Sequence, residues 1–338
     1  MTVLPPRAIK LRSGRHLSVT RLGLGTAPLG NIYRPIPEAE SDATLAAAWD
    51  CGIRYFDTAP YYGRGLAETR LNRFLRGRER NDYVLSSKVG RILQRTSPDR
   101  MVRQTHYFDT PARDIIYDYS RDGILRSVEQ SLERLGVDRI DLLLVHDIDP
   151  ITHGSRDASE AHIRVLLDSG VKAFQELLSG GVIGGVGSGL NVTETTERLV
   201  EAMDLDVVLL AGRYTLLEQE PIKSLFPLCQ RRGTHVFAAG IFNSGLLAGG
   251  STYNYLPASG ETVSRAQRIG SVCAKHGLAL AEAALRFAAL NPAVAAVIVG
   301  AVSPQEVRAN VSGFAKSIPA ALWAELKDQG LIDREAPV

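Results

Sequence analysis

The chain has 338 residues, 45% of them hydrophobic and 22% charged, as in a globular protein with a substantial core. Its 39 lysines and arginines nearly balance 37 aspartates and glutamates, and this balance argues against a nucleic-acid surface. The cysteines, Cys51, Cys229 and Cys273, are odd in number and far apart, which excludes a disulfide framework and a paired zinc motif. No membrane-spanning run or cleavable leader is recognisable, so we expect a cytoplasmic protein with no membrane contact.

Short apolar runs rich in β-branched residues alternate with segments of helical periodicity along the chain. We predict eight strands, at residues 22–25, 54–59, 83–89, 141–146, 182–187, 207–211, 235–239 and 296–300. We predict helices at residues 38–51, 66–75, 122–135, 159–178, 193–203, 221–232 and 281–290. This alternation indicates a parallel sheet covered by helices.

Eight such strands fit a closed α/β barrel of the (β/α)8 or TIM type, and one domain over residues 1–338 suffices. The competing architecture is an open doubly wound sheet that binds a dinucleotide. Its G-x-G-x-x-G fingerprint is missing, because the segment from Gly23 through Gly25 ends in Pro28 where the last glycine belongs. We therefore predict the barrel.

Two long segments interrupt the alternation, residues 91–120 after the third strand and residues 243–260 after the seventh. In a barrel, both lie on the face at the carboxyl ends of the strands, where active sites are built. They are candidate substrate loops; the alternative is a surface insertion without a function, which is equally plausible for any single tyrosine in them. Tyr253 and Tyr255 lie in the second segment.

Four side chains that suit proton transfer follow the second, third and fourth strands: Asp57, Tyr62, Lys88 and His146. A tyrosine, with a pKa of about 10, exchanges protons near neutral pH only if its phenolate is stabilised. We expect Lys88 to lower that pKa, Asp57 to hold the lysine, and His146 to orient a substrate oxygen. This set suits carbonyl reduction or alcohol oxidation, and the hydride must then pass to or from a nicotinamide cofactor.

The segment from Gly52 to Glu68, GIRYFDTAPYYGRGLAE, resembles the signature of the aldo-keto reductases. Further matches follow in order: SSKV at residues 86–89, the segment 132–146 ending in His146, Gly187-Ser188, Arg213-Tyr214, GLL at residues 245–247, and Asn310. The resemblance covers roughly residues 22–311. It implies a (β/α)8 barrel with the four residues above as the catalytic tetrad.

The same resemblance implies a set of cofactor contacts. Tyr214 is expected to stack on the nicotinamide, Ser188 to bind its carboxamide, and residues 242–246 to wrap the pyrophosphate through backbone amides. The full set is Gly25, Thr26, Asp57, Ser188, Tyr214, Phe242, Ser244, Gly245, Leu246, Gly300, Ala301, Glu306 and Asn310. The chain departs from the common pattern at three positions, with glycine or alanine where many members have asparagine, glutamine or serine: Gly189, Ala211 and Gly240.

The segment after the eighth strand predicts NAD rather than NADP. Gly300 and Val302 carry no charge, and Glu306 stands where the family often has an arginine for the 2′-phosphate. A carboxylate repels that phosphate and accepts hydrogen bonds from a free ribose hydroxyl. The alternative is that Glu306 only begins a helix and that Arg308 turns inward.

Within the family, the sequence is most similar to NAD-linked dehydrogenases that oxidise the hemiacetal hydroxyl of an aldose, such as L-fucose or L-galactose, or of pyridoxal, to a lactone. We therefore predict such an enzyme, with a small-molecule substrate and no metal. Three alternatives stay open: an NADPH-dependent carbonyl reductase, a nonenzymatic nucleotide-binding subunit, and an unrelated phosphate-binding barrel. The sequence is compatible with a homo-oligomer.

Overall fold

The computed structural model describes residue 4 and residues 6–102 and 106–338. In chain order, its strands are β1 (Pro6–Lys10), β2 (His16–Thr20), β3 (Leu22–Gly25), β4 (Tyr55–Asp57), β5 (Val84–Val89), β6 (Arg91–Arg95), β7 (Arg113–Tyr117), β8 (Ile140–His146), β9 (Ile183–Leu190), β10 (Val207–Ala211), β11 (His235–Ala239), β12 (Thr252–Tyr253), β13 (Leu256–Pro257) and β14 (Val294–Gly300). Its α-helices are α1 (Glu38–Asp50), α2 (Leu66–Leu75), α3 (Arg121–Leu135), α4 (Pro150–His153), α5 (Arg156–Val165), α6 (Val171–Ser179), α7 (Thr193–Ala202), α8 (Leu225–Arg232), α9 (Gly260–Lys275), α10 (Leu280–Leu290), α11 (Pro304–Ala315) and α12 (Ala320–Asp328).

Eight parallel strands close into a barrel in the order β3, β4, β5, β8, β9, β10, β11 and β14, with β14 paired back to β3. They are the eight strands that the sequence predicts, so the (β/α)8 barrel is confirmed. Helices lie between successive strands and bury the outer faces of the sheet. The carboxyl ends of all eight strands therefore meet at one mouth.

The inside of the barrel is filled by side chains, among them Tyr55 and Phe237, whose ring centres are 5.3 Å apart. A hairpin that the sequence analysis did not predict, β1–β2, adds apolar side chains to the same cluster: Ile9, Leu11, Leu17 and Val19. The interior is thus a packed core and not an open channel.

Most helices follow the predicted positions, but the predicted helix 159–178 is interrupted. A π-helical turn at Leu166–Gly170 separates α5 from α6. At Gly170 a side chain would clash, because a Cβ there would lie 2.4 Å from the carbonyl oxygen of Tyr119. The sequence analysis did not predict three helices near the carboxyl end, α9, α11 and α12.

Each of the two long segments contains an antiparallel hairpin. Strands β6 and β7 pair so that Arg91 lies opposite Tyr117, and β12 pairs with β13. Both hairpins follow the carboxyl end of a barrel strand, which places them beside the mouth as predicted for substrate loops. Within residues 4, 6–102 and 106–338, no helix is long and apolar enough to cross a membrane.

Candidate active site at the mouth of the barrel

The mouth brings the four predicted proton-transfer residues together. Asp57 ends β4, Lys88 lies near the end of β5, and His146 ends β8, while Tyr62 lies on the loop after β4. The ring centres of Tyr62 and His146 are 5.9 Å apart, and Nζ of Lys88 is 4.6 Å from the centre of the Tyr62 ring. These strands are neighbours in the barrel, so residues distant in sequence meet at one point.

Lys88 is buried and held by two acceptors. Its Nζ donates to Oδ2 of Asp57 at 2.7 Å and to the carbonyl oxygen of Thr58 at 2.9 Å. The other carboxylate oxygen of Asp57 accepts from the hydroxyl of Ser86 at 2.7 Å. Burial lowers the pKa of Lys88, although Asp57 opposes this shift. Asp57 therefore positions the lysine and favours its charged form, as predicted.

The structure corrects the prediction that Lys88 lowers the pKa of Tyr62. Burial raises the pKa of Tyr62 well above 10, and the negative charge of Asp57 adds to the shift. The hydrogen bonds of the described residues include none between Lys88 and the Tyr62 hydroxyl, and the ammonium faces the ring instead. Tyr62 is consequently a protonated phenol at neutral pH.

His146 is buried beside a guanidinium that the sequence analysis treated only as the start of a loop. Nη1 of Arg91 lies 3.1 Å from Nδ1 of His146. Burial lowers the pKa of His146 well below 6.5, and the positive charges of Arg91 and Lys88 lower it further. The imidazole is therefore neutral at physiological pH.

Asp147 completes the polar cluster at the end of β8. Its Oδ2 lies 2.9 Å from Nη2 of Arg91 and 3.4 Å from Nε2 of His146. Its backbone has a φ of +40°, a left-handed conformation that aspartate tolerates better than most residues. The sequence signal that could have identified Asp147 is its position directly after the histidine that ends β8. Arg91 could have been identified in a similar way, because it lies two residues beyond the end of β5.

A buried carboxylate anchors the helix that follows Tyr62. Glu68 in α2 is fully buried and accepts from the Ser87 hydroxyl at 3.0 Å and from Nε of Arg134 at 2.6 Å. It belongs to the segment that carries the family resemblance, yet it does not contact the tetrad through these bonds. Its contacts join α2 to β5 and α3, so they fix the elements that flank the Tyr62 loop.

Five of the predicted cofactor residues lie at the junction of β14, β3 and β4. Gly25 pairs with Asp57 on one side and with Gly300 on the other, and Ala301 follows. The hydroxyl of Thr26 donates to the carbonyl oxygen of Asp57 at 3.0 Å. Thr26 thereby ties the end of the first barrel strand to the acidic member of the tetrad.

The predicted pyrophosphate loop is a tight turn after β11. Three consecutive residues have positive φ, namely Asn243 at +47°, Ser244 at +58° and Gly245 at +102°. The amides of Asn243, Gly245 and Leu246 donate within the turn. Among the described residues, the amides of Phe242 and Ser244 make no backbone hydrogen bond.

Ser188 lies on the side of β9 that faces the helices. It pairs with Val145 and Val208, whose side chains belong to the outer core, because side chains alternate along a strand. Its hydroxyl is buried and has no hydrogen-bond partner among the described residues. The structure therefore places Ser188 in the wall of the barrel behind the mouth, with a donor that is still unpaired.

Tyr214 contradicts its predicted role. Its ring is 1% exposed and packs against Phe226 and Phe287, at 4.9 and 5.2 Å between ring centres. Its hydroxyl accepts from the side-chain amide of Asn291 at 2.9 Å. The ring is part of the core between barrel and helices, so it has no face to offer to a nicotinamide, and the stacking prediction is wrong.

Two of the departures from the family pattern, Gly189 and Gly240, lie where a side chain would be crowded. A Cβ at position 189 would lie 3.1 Å from Cε of Lys88, so Gly189 leaves room for the lysine stem. Gly240 has a φ of +59°, and a Cβ there would lie 2.9 Å from the amide nitrogen of Gly212. Glycine at these two positions lets the strand ends approach each other and the tetrad closely.

Glu306 lies in the first turn of α11 and is exposed. Its Oε2 accepts from the amide of Val302 at 2.9 Å, while its own amide donates to the hydroxyl of the capping residue Ser303. The carboxylate thus helps to start the helix, which is the alternative role considered for it. The same bond fixes a negative charge beside the segment after β14. Asn310 lies one turn further along the helix and is half-buried.

A phenol backed by a buried lysine, next to a neutral histidine, defines the proton-transfer site of an oxidoreductase acting on a carbonyl or an alcohol. The chain belongs to the aldo/keto reductase family, whose model matches residues 21–329. The unrelated phosphate-binding barrel is thereby excluded. Members of this family bind a nicotinamide cofactor.

Two similar proteins are named as dehydrogenases, one of pyridoxal and one of an aldose. Pyridoxal 4-dehydrogenase of Microbacterium luteolum is 41% identical over 94% of this chain and 95% of its own length. D-threo-aldose 1-dehydrogenase of a Pseudomonas species is 39% identical over the same shares, 94% and 95%. The solved holo form of an aldo-keto reductase from Bacillus halodurans has a TM-score of 0.71 at 24% identity, covering 99% of this chain and 100% of that one, which supports the fold.

Proposed function

We propose that this protein is an NAD-dependent dehydrogenase that oxidises the hemiacetal hydroxyl of an aldose or of pyridoxal to the corresponding lactone. The observation that carries the proposal is the meeting of Tyr62, Lys88 and His146 at the mouth, where a hydroxyl can reach the phenol and the imidazole together. The two relatives supply the substrate class, because one is named a dehydrogenase of pyridoxal and the other a dehydrogenase of D-threo-aldoses.

The predicted cofactor site has polar groups without hydrogen-bond partners, and a nicotinamide dinucleotide could bind them. Oδ1 of Asn243 is buried without a partner among the described residues, and the amides of Phe242 and Ser244 make no backbone hydrogen bond there. Buried polar atoms without partners are costly, so a ligand that pairs them is favoured. These residues, with Gly25 and Gly300 at the neighbouring strand ends, are proposed to hold the cofactor, which supplies the hydride acceptor.

In this proposal, side chains of the protein bind the substrate hydroxyl and remove its proton. His146 donates a hydrogen bond to the hydroxyl oxygen and orients it, and Tyr62 accepts its proton when the tyrosine is ionised. The ammonium of Lys88, which Asp57 holds in place, lies 4.6 Å from the centre of the Tyr62 ring, so its positive charge offsets part of the cost of ionising the buried phenol. In the reverse reaction Tyr62 returns the proton. The net change is loss of one hydride and one proton, which converts a cyclic hemiacetal to a lactone.

The test of activity is a panel of L-fucose, L-galactose, D-arabinose, L-rhamnose and pyridoxal with NAD and with NADP, followed by the absorbance of reduced nicotinamide. We expect turnover with NAD, and loss of turnover by at least about 100-fold in Tyr62→Phe with cofactor binding retained. Tyr83→Phe removes a hydroxyl near the opposite end of β5 and serves as the control. Cofactor binding without turnover of any substrate would favour the nonenzymatic subunit.

Glu306 supports NAD over NADP, since a fixed carboxylate repels a 2′-phosphate nearby. We expect Glu306→Gln to improve kcat/KM for NADP by about fivefold, equivalent to roughly 1 kcal/mol, while that for NAD changes little. Glu261→Gln makes the same change in the first turn of α9 and should alter neither value. A wild-type preference for NADPH would support the carbonyl reductase instead.

A further inference from the structure

We propose that Arg91 is a positioning residue that holds His146 in the neutral tautomer with its hydrogen on Nε2. The inference deepens the proposed function, on which its effect on catalysis rests. It concerns a residue that the tetrad does not include and that begins the hairpin β6–β7.

The contact between the two side chains determines the tautomer. Nη1 of Arg91 lies 3.1 Å from Nδ1 of His146. A guanidinium has only donors and stays protonated, so Nδ1 must be the acceptor. In a neutral imidazole, the remaining hydrogen is then on Nε2.

Arg91 is rigidly placed for this role. Its side chain is 4% exposed, and Nη2 lies 2.9 Å from Oδ2 of Asp147. Its guanidinium lies over the Tyr61 ring, 4.0 Å from the ring centre. The hydroxyl of Ser127 in α3 donates to the Arg91 carbonyl oxygen at 3.1 Å. Side chain and backbone are thus both fixed, on a strand that directly follows the lysine strand β5.

The charges around His146 oppose its protonation. The titratable and charged groups that face the ring come from four elements: Tyr61 and Tyr62 from the loop after β4, Lys88 from β5, Arg91 from β6, and Asp147 after β8. Tyr119 donates to the backbone oxygen of His146 at 2.8 Å. Two cations face the ring, and the single anion is itself paired with Arg91.

The tautomer decides what His146 can do for a substrate. With hydrogen on Nε2, the ring is a donor toward an oxygen in the mouth, as both the hydroxyl substrate and a developing carbonyl require. With hydrogen on Nδ1, Nε2 would present a lone pair to that oxygen and repel the carbonyl. Arg91 excludes the second form because it would place two donors face to face.

Nitrogen-15 spectroscopy of the histidine side chains tests the tautomer without any substrate. The His146 signals are assigned by their absence in His146→Gln. We expect the wild-type protein to show neutral His146 with hydrogen on Nε2 and without titration from about pH 6 to 8. In Arg91→Met we expect a mixture of tautomers or a ring that titrates in this range. Hydrogen on Nδ1 in the wild type, or an unchanged spectrum in Arg91→Met, would overturn the proposal.

Kinetics test whether Arg91 acts through His146. We expect Arg91→Met to lower kcat by about 10- to 100-fold with little change in KM for the cofactor, and Arg91→Lys to recover part of the loss. The double variant Arg91→Met/His146→Gln should be no slower than His146→Gln alone. Multiplying losses would instead indicate a structural role and contradict the proposal.

The matched control is Arg126→Met, at an exposed position of α3 outside the two loops at the mouth, which should leave both spectrum and rate unchanged. Arg91→Lys also covers the case in which Arg91→Met fails to fold, because it retains a cation at the site. The two proposals fail differently. If no aldose and no pyridoxal is turned over, the proposed function fails, while the nitrogen-15 spectra still decide the tautomer.

Discussion

Tyr62 has its hydroxyl in a place that favours the protonated form. Burial and the charge of Asp57 raise its pKa well above 10, whereas the pKa of His146 is lowered well below 6.5. A raised tyrosine pKa means that the base form becomes populated only at high pH. A lowered histidine pKa means that the neutral ring persists on the acid side of neutrality. The two pKa shifts therefore leave a protonated Tyr62 phenol next to a neutral His146 imidazole at the mouth.

We expect the rate of alcohol oxidation to rise with pH across about pH 6 to 10, because oxidation needs the ionised tyrosine. Carbonyl reduction uses the phenol and should stay level over most of this range. Neither direction should show an acid limb near pH 6.5 from His146, since its pKa lies well below that value. Measurement of kcat/KM in both directions checks this, and an oxidation rate independent of pH would show that Tyr62 does not accept the proton.

At individual positions, the sequence predicted correctly those residues whose location follows from the end of a barrel strand. It failed for residues whose location depends on how side chains pack in the folded protein. Asp57, Lys88 and His146 meet because neighbouring strands end at one face. The burial of Tyr214 depends on Phe226 of α8 and Phe287 of α10, and no local pattern reveals that contact. Arg91 was missed because a charged residue after a strand is usually solvated, and only the hairpin shows that this one is buried.

Among the elements, the loop that carries Tyr62 is fixed by the close approach of two glycine backbones. A Cβ at Gly30 would lie 2.6 Å from the carbonyl carbon of Tyr62, and a Cβ at Gly63 would lie 2.3 Å from the Gly30 oxygen. Contacts this short leave no room for a methyl group. The turn after β3 therefore sets the position of the loop after β4.

We expect Gly30→Ala to displace the backbone of Tyr62 and lower kcat by about 100-fold, because small errors in the position of a reacting group are costly. Gly260→Ala is the matched control: neither glycine has positive φ, and a Cβ at Gly260 meets no atom within 4 Å. Steady-state kinetics, with circular dichroism as a check on folding, distinguishes the two variants. Full activity in Gly30→Ala would mean that the loop yields without moving the phenol.

Helices and strands with strong periodicity were predicted within a few residues, as for α2 and β3. The π-helical turn at Leu166–Gly170 was not predicted, since no local pattern reveals that Gly170 packs against the Tyr119 backbone. The hairpins β6–β7 and β12–β13 were read as loops because their short strands lack a clear alternation of apolar and polar residues. The formation of these two hairpins depends on contacts with the rest of the barrel mouth, which the local sequence does not reveal.

At the scale of the whole molecule, the two ends of the barrel have separate tasks. The hairpin β1–β2 covers the end away from the tetrad with apolar side chains that continue the interior core. The alternation of strands and helices was enough to predict the barrel, because closure of eight parallel strands follows from topology. It could not predict this cover, which precedes the first barrel strand and belongs to no repeat.

We expect Ile9→Ala to destabilise the protein by about 2 to 5 kcal/mol, because Ile9 is fully buried in the inner core. The folded fraction should keep its kcat, since the change lies at the end of the barrel opposite the tetrad. Ile151→Ala, at a residue that is 73% exposed, should cost less than about 0.5 kcal/mol. Urea denaturation monitored by fluorescence measures both, and equal stabilities would show that the hairpin does not seal the core.

The origin of Arg91 in the hairpin β6–β7 has a consequence for the redesign of such enzymes. Engineers commonly exchange surface loops between relatives to transplant a substrate preference, on the assumption that loops are modules separate from the chemistry. Here the segment to be exchanged begins with the guanidinium that contacts His146, and its second strand returns beside it at Tyr117. A graft that omits this arginine would alter acid–base behaviour along with selectivity, so the junction of any chimera belongs after residue 91.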